Sequence, residues 1–107
     1  MEFKKKTEYI IRIGYHDRYR HLHIMNRGKV VFFRVQYETR VNDNWYPVVR
    51  YDTAHGFAHR DLMTIRGEVK KTPLFHLEYE QALTFAESDL KFNWQNYKKM
   101  FLGEGYD

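Results

Sequence analysis

Apolar and polar residues alternate through much of the first half of the chain, and the period then changes. Residues 7–14 are rich in β-branched and aromatic side chains and predict a first strand. In residues 18–25, Arg20, Leu22 and Ile24 fall on one side of an extended chain, and His21, His23 and Met25 on the other. Asn26-Arg27-Gly28-Lys29 is a hairpin signal, with Gly28 free to take a positive φ. Residues 29–40 alternate most cleanly: Val31, Phe33, Val35, Tyr37 and Thr39 share one face, and Phe32, Arg34, Gln36 and Glu38 the other. Asn42-Asp43-Asn44 supplies a second turn. Residues 45–53 return, with Trp45, Pro47, Val49 and Tyr51 facing one way and Tyr46, Val48, Arg50 and Asp52 the other. Pro47 has no N–H for a ladder, so it belongs at an edge or a bulge. Residues 54–59 break the alternation and predict a loop. Residues 60–65 form a further strand candidate, and residues 68–74 carry no decisive pattern.

The last third is helical in period. Tyr79, Leu83, Ala86, Leu90, Trp94, Tyr97 and Phe101 recur at steps of three and four, with Ala82, Phe85 and Phe92 widening the stripe. Lys98 and Lys99 suit the negative end of the helix dipole, and Gly103 is a natural stop. A helix over residues 78–102 would be roughly 37 Å long, enough to cross a sheet. The predicted architecture is α+β: an antiparallel meander over about residues 7–74, packed against one long C-terminal helix, in a single domain spanning 1–107.

Composition narrows the chemistry. The chain of 107 residues has no cysteine, which removes disulfides, thiolate metal sites, iron–sulfur clusters and thiol nucleophiles. No run approaches the length of a membrane helix, and the basic residues 1–6 precede no apolar signal segment, so a soluble cytoplasmic protein is expected. No Walker-type or GxGxxG loop occurs, and Ser88 is the lone serine; no cofactor and no serine catalysis are expected. The net charge of +4 is unevenly spread. Residues 1–71 hold 15 Lys/Arg against 8 Asp/Glu, whereas residues 72–107 hold 3 against 6. A basic sheet could attract phosphate, or its lysines and arginines could serve solubility alone.

Residues 50–61 concentrate the polar chemistry, with Arg50, Asp52, His55, His59, Arg60 and Asp61 gathered around Gly56 at a strand end. Arg50 and Asp52 project to one face, together with Arg34, Gln36 and Glu38 if that face lies away from the helix. Cleaving RNA without a metal needs a base for the 2′-OH, an acid for the leaving oxygen and a cation for the phosphate. His55, His59 and Arg50 have those chemistries, and Asp52 could orient an imidazole. Alternatively, Asp52 caps the loop, Arg50 pairs with Asp52 or Glu38, and the histidines are solvated. Arg20, His21, His23, Arg34, Arg60 and Tyr46 are candidate RNA contacts, the aromatic one for base stacking. His21 and His23, with His16 or Asp17, are also a partial metal-ligand set.

Two resemblances bear on function. The segment from Gln36-Tyr37-Glu38 through Trp45 to Asp61, with Ala82 to Leu90, Asn93, Trp94 and Tyr97, resembles an uncharacterised family of small prokaryotic proteins. Arg50-Tyr51-Asp52, Ala54-His55 and His59 are similar to the arginine–tyrosine–aspartate, alanine and histidine run of TumE-type toxins. Those are small toxins of toxin–antitoxin pairs regarded as ribonucleases, although their histidines tend to be more densely clustered. The second resemblance implies a metal-independent endoribonuclease acting on RNA, with an acidic antitoxin as partner. Two alternatives stay open: a non-catalytic module binding RNA or protein through a basic sheet face, and a metal-dependent enzyme or metal sensor using His21, His23 and a loop histidine. Edge strands also make a homodimer a reasonable expectation.

Overall fold

The computed structural model describes residues 4–103. Six strands, β1 (Lys4–Gly14), β2 (Asp17–Asn26), β3 (Lys29–Val41), β4 (Asn44–Asp52), β5 (His59–Met63) and β6 (Val69–Pro73), precede one helix, α1 (Tyr79–Leu102). Sequence order is also spatial order, and every neighbouring pair is antiparallel. The expected α+β meander with a C-terminal helix on one face is therefore the fold, and residues 68–74 resolve into the edge strand β6.

The hairpins follow from turn chemistry. Arg27 and Gly28 both have positive φ, as do Asn42 and Asp43. Two successive positive φ values are what a two-residue hairpin of right-handed twist demands, and Gly, Asn and Asp meet that demand most readily.

The helix lies over β3 and β4. Phe33, Val35 and Tyr37 of β3 and Val49 and Tyr51 of β4 meet Ala82, Leu83, Ala86, Leu90 and Phe101 of α1 in the core. A polar knot fastens the same layers: Tyr51 and Tyr97 each donate to Asp89 Oδ2 at 2.6 Å, and Arg60 donates to the Tyr97 hydroxyl at 3.3 Å. Burial, reinforced by the bond to Asp89, pushes the Tyr97 hydroxyl up to about 12, so it stays a donor. The helix start is tied to β3 by Val30 N–H donating to Glu80 Oε1 at 2.9 Å, and its end to the β5–β6 turn by Ile65 N–H donating to the Phe101 carbonyl at 3.0 Å. Gly103 terminates it with φ 81°.

Two expectations are corrected. Phe92 does not widen the buried stripe; it is 74% exposed, because it stands about 200° round the helix from Leu90. Phe85 is only half-buried, edge-on to Tyr51. The faces of β4 also differ from simple alternation. Tyr37 pairs with Val49 but Glu38 with Pro47, so Val48 is the extra residue of a bulge. The bulge shifts the phase of the preceding residues: Tyr46 turns to the helix side against Phe101, while Trp45 joins the open face beneath the Arg18 guanidinium. Pro47 sits at this irregularity, where its missing N–H is tolerated.

Candidate functional site

The register assembles a polar field on the face away from the helix. One row across the sheet reads Leu22, Arg34, Asp52 and His59, and the next reads Arg20, Gln36, Arg50 and Asp61. Directly opposed residues of antiparallel strands point the same way, so these side chains meet. Arg50 Nε donates to Gln36 Oε1 at 2.6 Å, and the Gln36 amide in turn donates to Glu38. Glu38 also accepts from Arg18 Nε at 2.6 Å and lies 3.6 Å from Arg20. Cations and carboxylates are thus interleaved, which moderates the basic surface expected from net charge. Glu8, Ile10, Arg20, Leu22, Arg34, Gln36 and Arg50 border a shallow depression of about 530 Å³ on this face.

Asp52 organises the end of the field nearest the loop. Its Oδ2 accepts from Arg34 Nε at 3.2 Å, and its Oδ1 accepts the Ala54 amide at 3.1 Å and lies 3.1 Å from His59 Nε2. Asp61 Oδ2 is 3.7 Å from the same nitrogen, with Lys71 3.8 Å from Asp61 Oδ1. The one carboxylate thus meets both the loop amide and the imidazole of His59. Arg50 bonds Gln36 rather than Asp52, because Arg34 stands directly opposite Asp52 in the register.

His59 is buried at 2% exposure, and its Nδ1 has no hydrogen-bond partner. The ring lies under the loop of residues 53–58, with the His55 and Phe57 centroids 5.5 Å and 5.9 Å away. Gly56, with φ 85°, lets that loop turn back on itself as its amide donates to the Thr53 carbonyl. His55 is exposed at the rim.

The other sequence candidates lie elsewhere. Arg20 and Arg34 join the open face, but His21, His23, Arg60 and Tyr46 turn to the helix side. Arg60 follows His59 in one strand, so the two must face opposite ways, and it enters the Tyr97–Asp89 knot. Tyr46 is redirected by the bulge. His21 and His23 line a separate cluster: Tyr19 Oη and His21 Nδ1 are 2.7 Å apart, His21 Nε2 and His23 Nδ1 2.6 Å, and Tyr9 stacks on His21 at 4.6 Å. A neutral His21 with its proton on Nε2 satisfies both contacts. Burial, with the neighbouring His23 second, lowers its pKa to about 4. Asp17 is instead committed to the Tyr37 hydroxyl and Lys98. Among the described residues, no three His, Cys, Asp or Glu side chains form a group able to hold a metal ion.

Fold and site together define a class: a twisted antiparallel meander, covered on one side by a helix, with a histidine–carboxylate–arginine cluster on the other. The chain belongs to the family described as Domain of unknown function (DUF7718), whose model matches residues 4–105. No curated protein matches the chain, and no solved structure matches it. No helix among the described residues is long and apolar enough to cross a membrane.

Proposed function

We propose that the protein is a metal-independent endoribonuclease, with His59, His55, Arg34 and Arg50 acting on RNA and Asp52 as a positioning residue. The observation that carries the proposal is the buried Asp52–His59 pair with its unpartnered Nδ1, beside a second histidine. A carboxylate facing Nε2 holds the proton there and leaves the lone pair on Nδ1, which is the acceptor a general base requires. In this scheme His59 removes the proton of a ribose 2′-OH. The 2′-oxygen bonds to phosphorus as the bond to the 5′-oxygen breaks, and His55 delivers a proton to that leaving oxygen. The products are a 2′,3′-cyclic phosphate and a 5′-hydroxyl. Arg34 and Arg50 offer their planar donors to the phosphate oxygens. Because His59 is covered, RNA reaches Nδ1 only as the side chains of His55 and Phe57 move aside.

The similarity of Arg50-Tyr51-Asp52, Ala54-His55 and His59 to TumE-type toxins supports the same activity. On that view the protein is a cytoplasmic prokaryotic toxin whose acidic antitoxin covers the open face. A second reading, a non-catalytic RNA- or protein-binding module, is favoured by the depression between Arg20, Arg34 and Arg50. End-group analysis separates the two. The nuclease yields cyclic phosphate termini from an RNA oligonucleotide and leaves its 2′-deoxy counterpart intact, and His55→Ala or His59→Ala lowers the rate by about 100-fold or more. Salt-sensitive binding of both oligonucleotides without turnover would assign the face to the second reading and overturn the first.

A further inference from the structure

The two edges of the sheet are built differently. β6 is five residues long, carries Lys70 and Lys71, and ends at Pro73. Shortness and a residue without an N–H are features that keep an edge from pairing with another chain, whereas charge is common to both edges, β1 carrying Lys5, Lys6, Glu8 and Arg12. β1 is eleven residues long and, among the described residues, pairs on one side only, with β2. It carries apolar side chains on both faces: Ile10 on the open face is 55% exposed, and Ile11 on the helix face 49%. Because α1 sits over β3 and β4, a groove between Tyr9, Ile11, Tyr19, Leu90 and Trp94 stays open beside this strand. Left alone, such an edge invites uncontrolled association.

The strand is complementary to itself in an antiparallel register about Ile10. With Ile10 opposite its own copy on a two-fold axis, Tyr9 faces Ile11 and Glu8 faces Arg12, each pair occurring twice. Glu8, Ile10 and Arg12 share the open face, so two cross-strand ion pairs flank an Ile–Ile contact. Centring the axis on Tyr9 instead would set Lys6 against Arg12 and Glu8 against Ile10. Centring it on Ile11 would set Arg12 against Ile10 and Glu8 against Gly14. Centring it on Thr7 would match Lys6 with Glu8 but set Lys5 against Tyr9 and Lys4 against Ile10, so charge and apolar contact together select Ile10.

We propose that the protein is a homodimer in which the β1 strands of two copies pair antiparallel about Ile10, joining two six-stranded sheets into one. β1 is irregular between Arg12 and Gly14, so the regular window is residues 8–12, which would form about four to six intermolecular main-chain hydrogen bonds. The axis lies at the opposite side of the sheet from β5, so the Asp52–His59 cluster takes no part in it.

Sedimentation velocity on the full chain, with single-cysteine variants in this cysteine-free sequence, tests the proposal. Wild type is expected to sediment as a dimer. Ile10→Cys is expected to form an intermolecular disulfide on mild oxidation, because the axis brings that position against itself, whereas Glu8→Cys and Arg12→Cys do not. Glu8→Arg is expected to weaken the dimer roughly tenfold or more, and the double variant Glu8→Arg/Arg12→Glu to restore it. Circular dichroism matching wild type shows that each variant has folded. A monomeric wild type, or a dimer in which Ile10→Cys does not cross-link and the double reversal does not rescue, overturns the proposal.

Discussion

At Asp52 three polar groups converge on one buried carboxylate, from β3, from the loop and from β5. Replacing it with alanine strips partners from Arg34, the Ala54 amide and His59 together. Losing one partner of a buried ionic cluster is expensive, so Asp52→Ala is expected to destabilise the fold by about 2–4 kcal/mol in urea titration. A loss below about 0.5 kcal/mol would show that the carboxylate does not organise the site. His21 gives a prediction in pH. Its pKa is lowered to about 4 in the fold, against about 6.5 in the unfolded chain, so the unfolded state takes up the proton first. The stability His21 contributes is whole above pH 6.5 and is lost as the pH falls towards 4. His21→Phe removes that dependence, and its stability profile should be flatter than wild type across this window. Parallel profiles would contradict the assignment. The residue types of the site were legible in the sequence, where Arg50, Asp52, His55 and His59 stand close together. Their placement was not, because burial of His59 and exposure of His55 depend on how the loop folds back over β5.

Among the elements, β3, both hairpin turns and α1 were readable from alternation, turn residues and helical spacing. The faces of β4 were only partly readable. A bulge inserts one residue into the period of two, and no local pattern marks which residue that is beyond Pro47 itself. That one insertion carries Tyr46 away from the polar face and brings Trp45 onto it. By contrast, the separation of Arg20 from His21 and His23 was already present in the alternation of residues 18–25. The corner between β1 and β2 yields a stability prediction. A Cβ on Gly14 would lie 2.8 Å from Asp17 Oδ2 and 2.9 Å from the Trp94 ring. Asp17 is buried and held by Tyr37 and Lys98, so it cannot easily give way. Gly14→Ala is expected to cost about 1–3 kcal/mol through overpacking, measured by denaturant unfolding. An unchanged midpoint would mean that this corner rearranges freely.

Over the whole molecule, charge and layer order together decide which face can meet a partner. Helix α1, in which Glu80, Glu87 and Asp89 are balanced by Lys91, Lys98 and Lys99, covers one side of the sheet, while the arginines of β2, β3 and β4 emerge on the other. Sequence arithmetic pointed to a basic sheet but not to its refinement, since Glu38, Asp52 and Asp61 neutralise part of the field from within it. Under the proposed function, RNA phosphates would meet the arginines of this face between its carboxylates. The most direct measurement is incubation of the purified chain with a labelled RNA pool in excess EDTA, beside His55→Ala and His59→Ala proteins of matching circular dichroism. Cleavage by wild type alone is the predicted result and places the chemistry in the histidine pair. RNA left intact in every lane, or cut equally by the variants, would contradict the nuclease.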